Sequence, residues 1–129
     1  MTDPIPPSAV GDLVEAWLTA RADRDLDRLG MLTASDAIWH SPVEGPQVGR
    51  TAVVDEVRRG FEDSDTFETQ TLDVRCHGAS AMAVVRNIAT RGDKQLDSAQ
   101  TIHLKVSRGA VSEVRIQVDD QTAVTEFWA

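Results

Sequence analysis

From about residue 66 onward the hydropathy pattern of this chain has a period of two. Leu72, Val74 and Cys76 alternate with Asp73, Arg75 and His77; Met82, Val84 and Ile88 follow, then Ile102, Leu104 and Val106, then Val114, Ile116 and Val118. The stretches "HGAS", "RGDKQ" and "SRGA" between these runs each carry a glycine, where a hairpin turn calls for positive φ. Successive side chains of a strand point to opposite faces, so this half predicts a four-stranded antiparallel meander with one apolar face. The half before it has the helical period instead. Val10, Leu13, Val14, Trp17 and Leu18 predict an amphipathic helix over 9–22. Leu26, Leu29 and Leu32 predict a second, short one. Val53, Val57 and Phe61, four apart, predict a third, with Thr51 placed to cap it. Between the second and third helices, 34–40 reads as a short strand and 42–49 as a turn-rich loop. Asp119 or Asp120 starts a last helical turn through "QTAVTEFW". Pro4, Pro6 and Pro7 make 1–7 a loose arm, leaving 8–129 as a single domain. Three helices leading into a meander make an α+β architecture.

Charge narrows the function. Lys and Arg number 13 against 21 Asp and Glu, a net charge of −8. A chain this acidic, with scattered basic residues, offers no footprint for nucleic acid or an anionic membrane surface. No apolar run approaches the roughly 20 residues that span a bilayer. The opening "MTDPIPPSAV" lacks the basic and apolar regions of a signal peptide. A single cysteine, Cys76, excludes an internal disulfide and suits a reducing compartment. The expectation is a cytoplasmic protein. No spacing of His, Cys and carboxylates suggests a metal, and no Gly-rich loop suits a phosphate, so no cofactor is expected.

The order helix–helix–strand–helix–four strands, with "WHSPVEGPQVGRTAVV" at the strand-to-helix crossing, resembles the NTF2-like superfamily, and within it the SnoaL-like and ketosteroid-isomerase-like branches. The resemblance runs over 8–128. It implies an NTF2-like cone: three N-terminal helices packed on a curved antiparallel sheet, a short C-terminal helical turn, an apolar pocket, and a homodimer formed through the sheet. It does not settle function, because the superfamily holds polyketide cyclases, a steroid isomerase, epoxide hydrolases and proteins without catalysis. The steroid isomerases have an Asp base directly before the Pro of the crossing motif; here that position is Ser41. Their oxyanion hole uses a Tyr and a protonated Asp; this chain has no Tyr, and the Asp position matches Ile102. The acidic residue on the last strand of the cyclases matches Ile116. The Arg and two Asp of the epoxide hydrolases become Arg86, Ile88 and Ile116. Only the arginine is retained, and isoleucine cannot move a proton.

Two residues stand out as catalytic candidates. Arg86 interrupts the run of Met82, Val84 and Ile88 on the expected inward face, and a buried guanidinium needs a partner. That partner is a ligand oxygen, or Asp97 or Glu113 in a structural ion pair, unless the arginine snorkels to solvent from a strand edge. His40 titrates near neutral pH without help, and is either an acid/base or a residue of a backbone or dimer contact. Alternation sets it opposite Trp39; if Ser41 points inward, so does Trp39, and His40 points away unless Pro42 bends the strand. Ser98 and Gln100 share the class of Ile102 and Leu104, where either could hydrogen-bond a ligand or the other. Trp17, Trp39, Ser41, Phe61, Gln100, Ile102 and Ile116 make up the expected ligand lining, while His77 and His103 fall on the opposite class. Two functional readings follow. In one, a pocket takes a small apolar molecule of polyketide or steroid type and isomerises it, cyclises it or opens its epoxide, with His40 as acid/base and Arg86 as anion stabiliser. In the other, the chain is a non-catalytic carrier or accessory protein lacking the usual carboxylates.

Overall fold

The computed structural model describes residues 7–41 and 44–129. Pro7 already opens the first helix, and the rest of the expected N-terminal arm lies outside the described residues. The elements are α1 (Pro7–Ala22), α2 (Leu26–Met31), β1 (Thr33–Ser41), β2 (Gly45–Val48), α3 (Arg50–Glu62), β3 (Thr66–His77), β4 (Ser80–Arg91), β5 (Lys94–Ser107), β6 (Ala110–Val118) and α4 (Gln121–Trp128). They form an α+β NTF2-like fold around one six-stranded sheet, in the order β2-β1-β6-β5-β4-β3. The expected meander is β3 to β6. The sheet is mixed rather than wholly antiparallel, because β1 lies parallel to β6, with Trp39 beside Val114. Part of the expected 42–49 loop is strand β2, which pairs with β1 from Ile38↔Val48 to Ser41↔Gly45. Thr51 lies inside α3; the helix starts from Gly49, whose φ of +110° suits glycine and whose N–H donates to the Ala37 carbonyl at 2.7 Å. Asp120 caps α4 by accepting from the Ala123 N–H at 3.0 Å.

The inner face of the sheet is set by volume as much as by hydropathy. On β4 the buried residues are Ala81, Ala83, Val85, Asn87 and Ala89, while Met82 is 40 % exposed. Small side chains there leave room for α1, whose Val10, Val14 and Trp17 pack into the same core. The larger residues Met82, Val84 and Ile88, together with Arg86, therefore occupy the outer face, the reverse of the expected assignment. Trp17 is fully buried and donates its indole N–H to Thr33 Oγ1 at 3.0 Å; Thr33 in turn donates to the Leu29 carbonyl at 2.7 Å. This chain satisfies the polar atoms where α1, α2 and β1 meet. On β3 the pairing passes from Thr71↔Val85 to Asp73↔Val84. Leu72 is thus the extra residue of a β-bulge, and the bulge switches which alternate residues face inward. A second apolar cluster joins Ala89, Leu96, Val124 and Phe127, and α4 closes over it. Arg91 and Lys94 hold the end of α4 by donating to its backbone carbonyls.

Candidate functional site

Between the inner sheet face, α3 and α4 lies a cavity of about 310 Å³. One wall is aromatic. Phe61 meets Phe67 edge-on at 5.1 Å, and Phe67 stacks on Trp128 at 6.4 Å. The Arg24 guanidinium lies 4.5 Å from the centre of the Phe61 ring and fixes its outer face. Trp39, Ile116 and Val118 supply the facing apolar surface.

The deep end is polar. Arg21, Asn87 and Gln100 all line the cavity with relative exposures of only 7 %, 6 % and 9 %. Arg21 comes from the core-facing stripe of α1, one turn beyond Trp17. Its Nη1 donates to Thr69 Oγ1 at 3.0 Å, and among the described residues no carboxylate lies in ion-pair range of it. Burial lowers its pKa to about 10, because a charge with little water around it is costly. Cross-strand pairing joins Thr69 to Asn87 and Asn87 to Ser98, so these three residues form a row across β3, β4 and β5. Asn87 Oδ1 is buried without a hydrogen-bond partner among the described residues.

The outer rim carries the carboxylates. Glu44, Glu56 and Asp63 line it together with Arg59. Glu56 and Arg59 are hydrogen-bonded one helical turn apart on α3, and Glu44 Oε2 lies 3.7 Å from the same guanidinium. The Glu56 pKa is raised, first by burial and also by the neighbouring Glu44 carboxylate, against the opposing pull of Arg59. A carboxyl group so placed can hold or release a proton closer to neutral pH than a solvated one. No three His, Cys, Asp or Glu side chains among the described residues cluster as metal ligands.

The structure distributes the expected site residues over three places. Trp39, Ser41, Phe61, Gln100 and Ile116 line the cavity, with Ser98 beside them. Ser41 Oγ accepts from the Glu44 N–H at 3.1 Å. Trp17 and Ile102 are fully buried in the core and do not reach the lining. His40 and Arg86 lie on the outer sheet face, away from the cavity. His40 Nε2 is 3.1 Å from Glu113 Oε1. Arg86 grips Asp97 with two bonds of 2.8 and 2.6 Å, which raises its pKa and lowers that of Asp97. Arg21, Asn87 and Glu56 were not among the expected residues. Their signals were faint: Arg21 continues the stripe Val10, Val14, Trp17 at helical spacing, and Asn87 interrupts the run of small residues on β4.

The match to known proteins agrees with the fold. The SnoaL-like domain model matches residues 14–114, most of the chain. The chain belongs to the SnoaL-like domain family. Among solved structures, Bal32a from a soil-derived mobile gene cassette is 27 % identical, with a TM-score of 0.90 over 95 % of this chain and 98 % of its own. A protein of unknown function with a cystatin-like fold from Xanthomonas campestris is 25 % identical, with a TM-score of 0.86 over 93 % and 98 %. A protein from Jannaschia sp. CCS1, named for its likeness to SnoaL polyketide cyclases, shares the fold at 14 % identity, with a TM-score of 0.82 over 100 % and 97 %. No curated protein matches the chain in sequence. Of the three positions to which the resemblance drew attention, Ser41 and Ile116 line the cavity and Ile102 is buried in the core. No helix among its described residues is long and apolar enough to cross a membrane.

Proposed function

We propose that this SnoaL-like domain binds a small, mostly apolar molecule in the cavity and exchanges a proton with it through Glu56. The cavity carries this reading: it is concave, walled by aromatic rings and furnished with a few buried polar groups, the general character of a small-molecule site. Its size bounds the ligand. A cavity of roughly 150 Å³ holds a benzene, so about 310 Å³ encloses on the order of a dozen non-hydrogen atoms. One or two rings fit inside, and a steroid or tetracyclic polyketide would extend past the rim. Isomerisation and cyclisation both begin by moving a proton at carbon or oxygen, and Glu56 is the lining carboxyl group whose pKa is raised.

The test uses 2-tetralone, a two-ring ketone of suitable size. Exchange of its α-protons in deuterated buffer, followed by NMR, is expected to run faster with the protein than without it, and to fall to the buffer rate with Glu56→Gln. A 2-tetralone that binds, seen as a thermal shift, without faster exchange would leave a carrier protein instead. Exchange that persists in Glu56→Gln would remove Glu56 from the chemistry. The outer sheet face, where Met82 pairs with His103 and Val84 with Thr101, supports a homodimer, which light scattering would detect.

A further inference from the structure

We infer that the ligand of this cavity is a hydroxy acid whose carboxylate sits on Arg21 and whose hydroxyl donates to Asn87. The inference rests on the cavity being a ligand site, as proposed above, and adds the chemistry of the ligand's head group.

Among the described residues three arginines line the cavity, and one of them lacks a saturating partner. Arg59 is held by Glu56 and Glu44. Arg91 donates to the backbone carbonyls of Phe127 at 3.2 Å and Ala129 at 2.8 Å. Arg21 is the most buried of them, and its one side-chain bond among the described residues goes to a neutral hydroxyl. A guanidinium carries five N–H donors in a planar fork that matches a carboxylate edge. Burying that fork without a counter-ion is costly unless an anion completes it. A neutral carbonyl would take one of the spare donors but leave the charge uncompensated.

The second half of the head group follows from register. Asn87 lies directly across the strand pair from Thr69, the residue that anchors Arg21. Paired residues on adjacent strands are about 5 Å apart, so the guanidinium and the Asn87 amide address neighbouring atoms of one ligand. The buried Asn87 Oδ1 accepts only, so it needs a ligand O–H or N–H. Gln100, on the same face of β5 two residues beyond Ser98, adds a further amide at this end. A carboxylate with a hydroxyl on the next carbon satisfies both demands within a short span, and its apolar remainder lies toward Phe61, Phe67 and Trp128.

The experiment is titration calorimetry of the full chain with three probes of equal skeleton: 3-phenyllactate, 3-phenylpropanoate without the hydroxyl, and 3-phenylpropane-1,2-diol without the acid. Phenyllactate is expected to bind tightest, the diol about tenfold or more weaker, since a charge-assisted bidentate contact is lost. Arg21→Met should erase the advantage of phenyllactate over the diol, by weakening phenyllactate far more than the diol. Arg21→Lys, which keeps the charge and loses the fork, should retain part of it. Asn87→Ala should erase the preference for phenyllactate over phenylpropanoate and keep the preference for the acid. An acid preference that survives Arg21→Met overturns the inference and moves the carboxylate to another lining cation, Arg59 or Arg91. Equal binding of acid and diol overturns it as well and leaves the cavity as a site for neutral ligands. The same holds if 2-tetralone binds and none of the three probes does. Failure of all four compounds overturns the cavity reading itself.

Discussion

Arg21→Met should make the protein more stable while removing its affinity for acids. Lowering the arginine pKa from its ordinary value to about 10 corresponds to roughly 3 kcal/mol against the charged form. The bond to Thr69 Oγ1 returns about 1.5–3 kcal/mol, the range for hydrogen bonds to charged groups. Methionine has a similar unbranched reach and fills the same channel with apolar atoms, adding burial where the guanidinium cost desolvation. The balance is a gain of about 1 kcal/mol, equivalent to a rise of about 3–5 °C in the melting temperature of a domain this size. Circular dichroism melts at pH 7, with urea unfolding as a second measure, read the difference directly. Linkage gives a further check. The folded-state pKa is the lower one, so the burial penalty is fully present at neutral pH and is relieved as pH rises past about 10. The gap between variant and wild type should narrow there. A loss of about 1 kcal/mol or more in Arg21→Met at pH 7 would refute this reasoning; Arg21 would then be a structural residue whose bond to Thr69 outweighs the burial of its charge.

Glu56→Gln should show the opposite pH trend: the folded-state pKa of Glu56 is raised, so wild-type stability is greatest below the ordinary carboxylate range and declines as pH rises through the folded value. Melts at pH 4.5 and pH 8 should therefore move in favour of the glutamine variant at the higher pH; an unchanged difference would place Glu56 in a solvated setting. His40→Ala and Arg86→Ala, on the far side of the sheet, should leave 2-tetralone exchange and phenyllactate affinity at wild-type values, and a tenfold loss in either assay would bring the outer face into the site. Gly49→Ala should lower stability by about 1–2 kcal/mol, because φ of +110° is strained for any residue with a Cβ; an unchanged urea midpoint would show that the start of α3 can relax.

How much of this was legible follows from what alternation can and cannot report. Period two with glycine turns places β3 to β6 because it depends only on spacing. It does not say which face is inside when both faces carry apolar residues. On β4 the bulkier set, Met82, Val84 and Ile88, reads as core, yet the alanines are buried, since the inner face has to admit Trp17. Arg86 was misplaced for that reason alone. The bulge at Leu72 hides a second parity change inside an unbroken apolar pattern. Strand β2 escapes detection because Gly45 and Pro46 read as a turn, although proline is tolerated on an edge strand. On β5, and along the ends of β1 and β6 beside the cavity, the alternation is clean, and Trp39, Ser41, Gln100 and Ile116 reach the cavity.

The polar half of the site was harder to see, because the family comparison directs attention to strands. Those strand positions hold Ser41, Ile102 and Ile116, so reading them alone suggests a pocket emptied of chemistry. Much of the charge in this cavity comes from the helices, Arg21 from α1 at the deep end and Glu56 from α3 at the rim, beside Arg91 of β4 and Glu44 of the β1–β2 turn. Helical residues reach this cavity because α1 and α3 pack toward the same space as the inner strands, and a long side chain spans the distance to it. A charged residue on a helix stripe that is otherwise core, as in Val10–Val14–Trp17–Arg21, deserves the same scrutiny in a cone of this kind as an acid on a strand. The two kinds of site also differ in cost. A buried arginine without a counter-ion lowers stability until an acid arrives, which ties the stability of the domain to ligand binding.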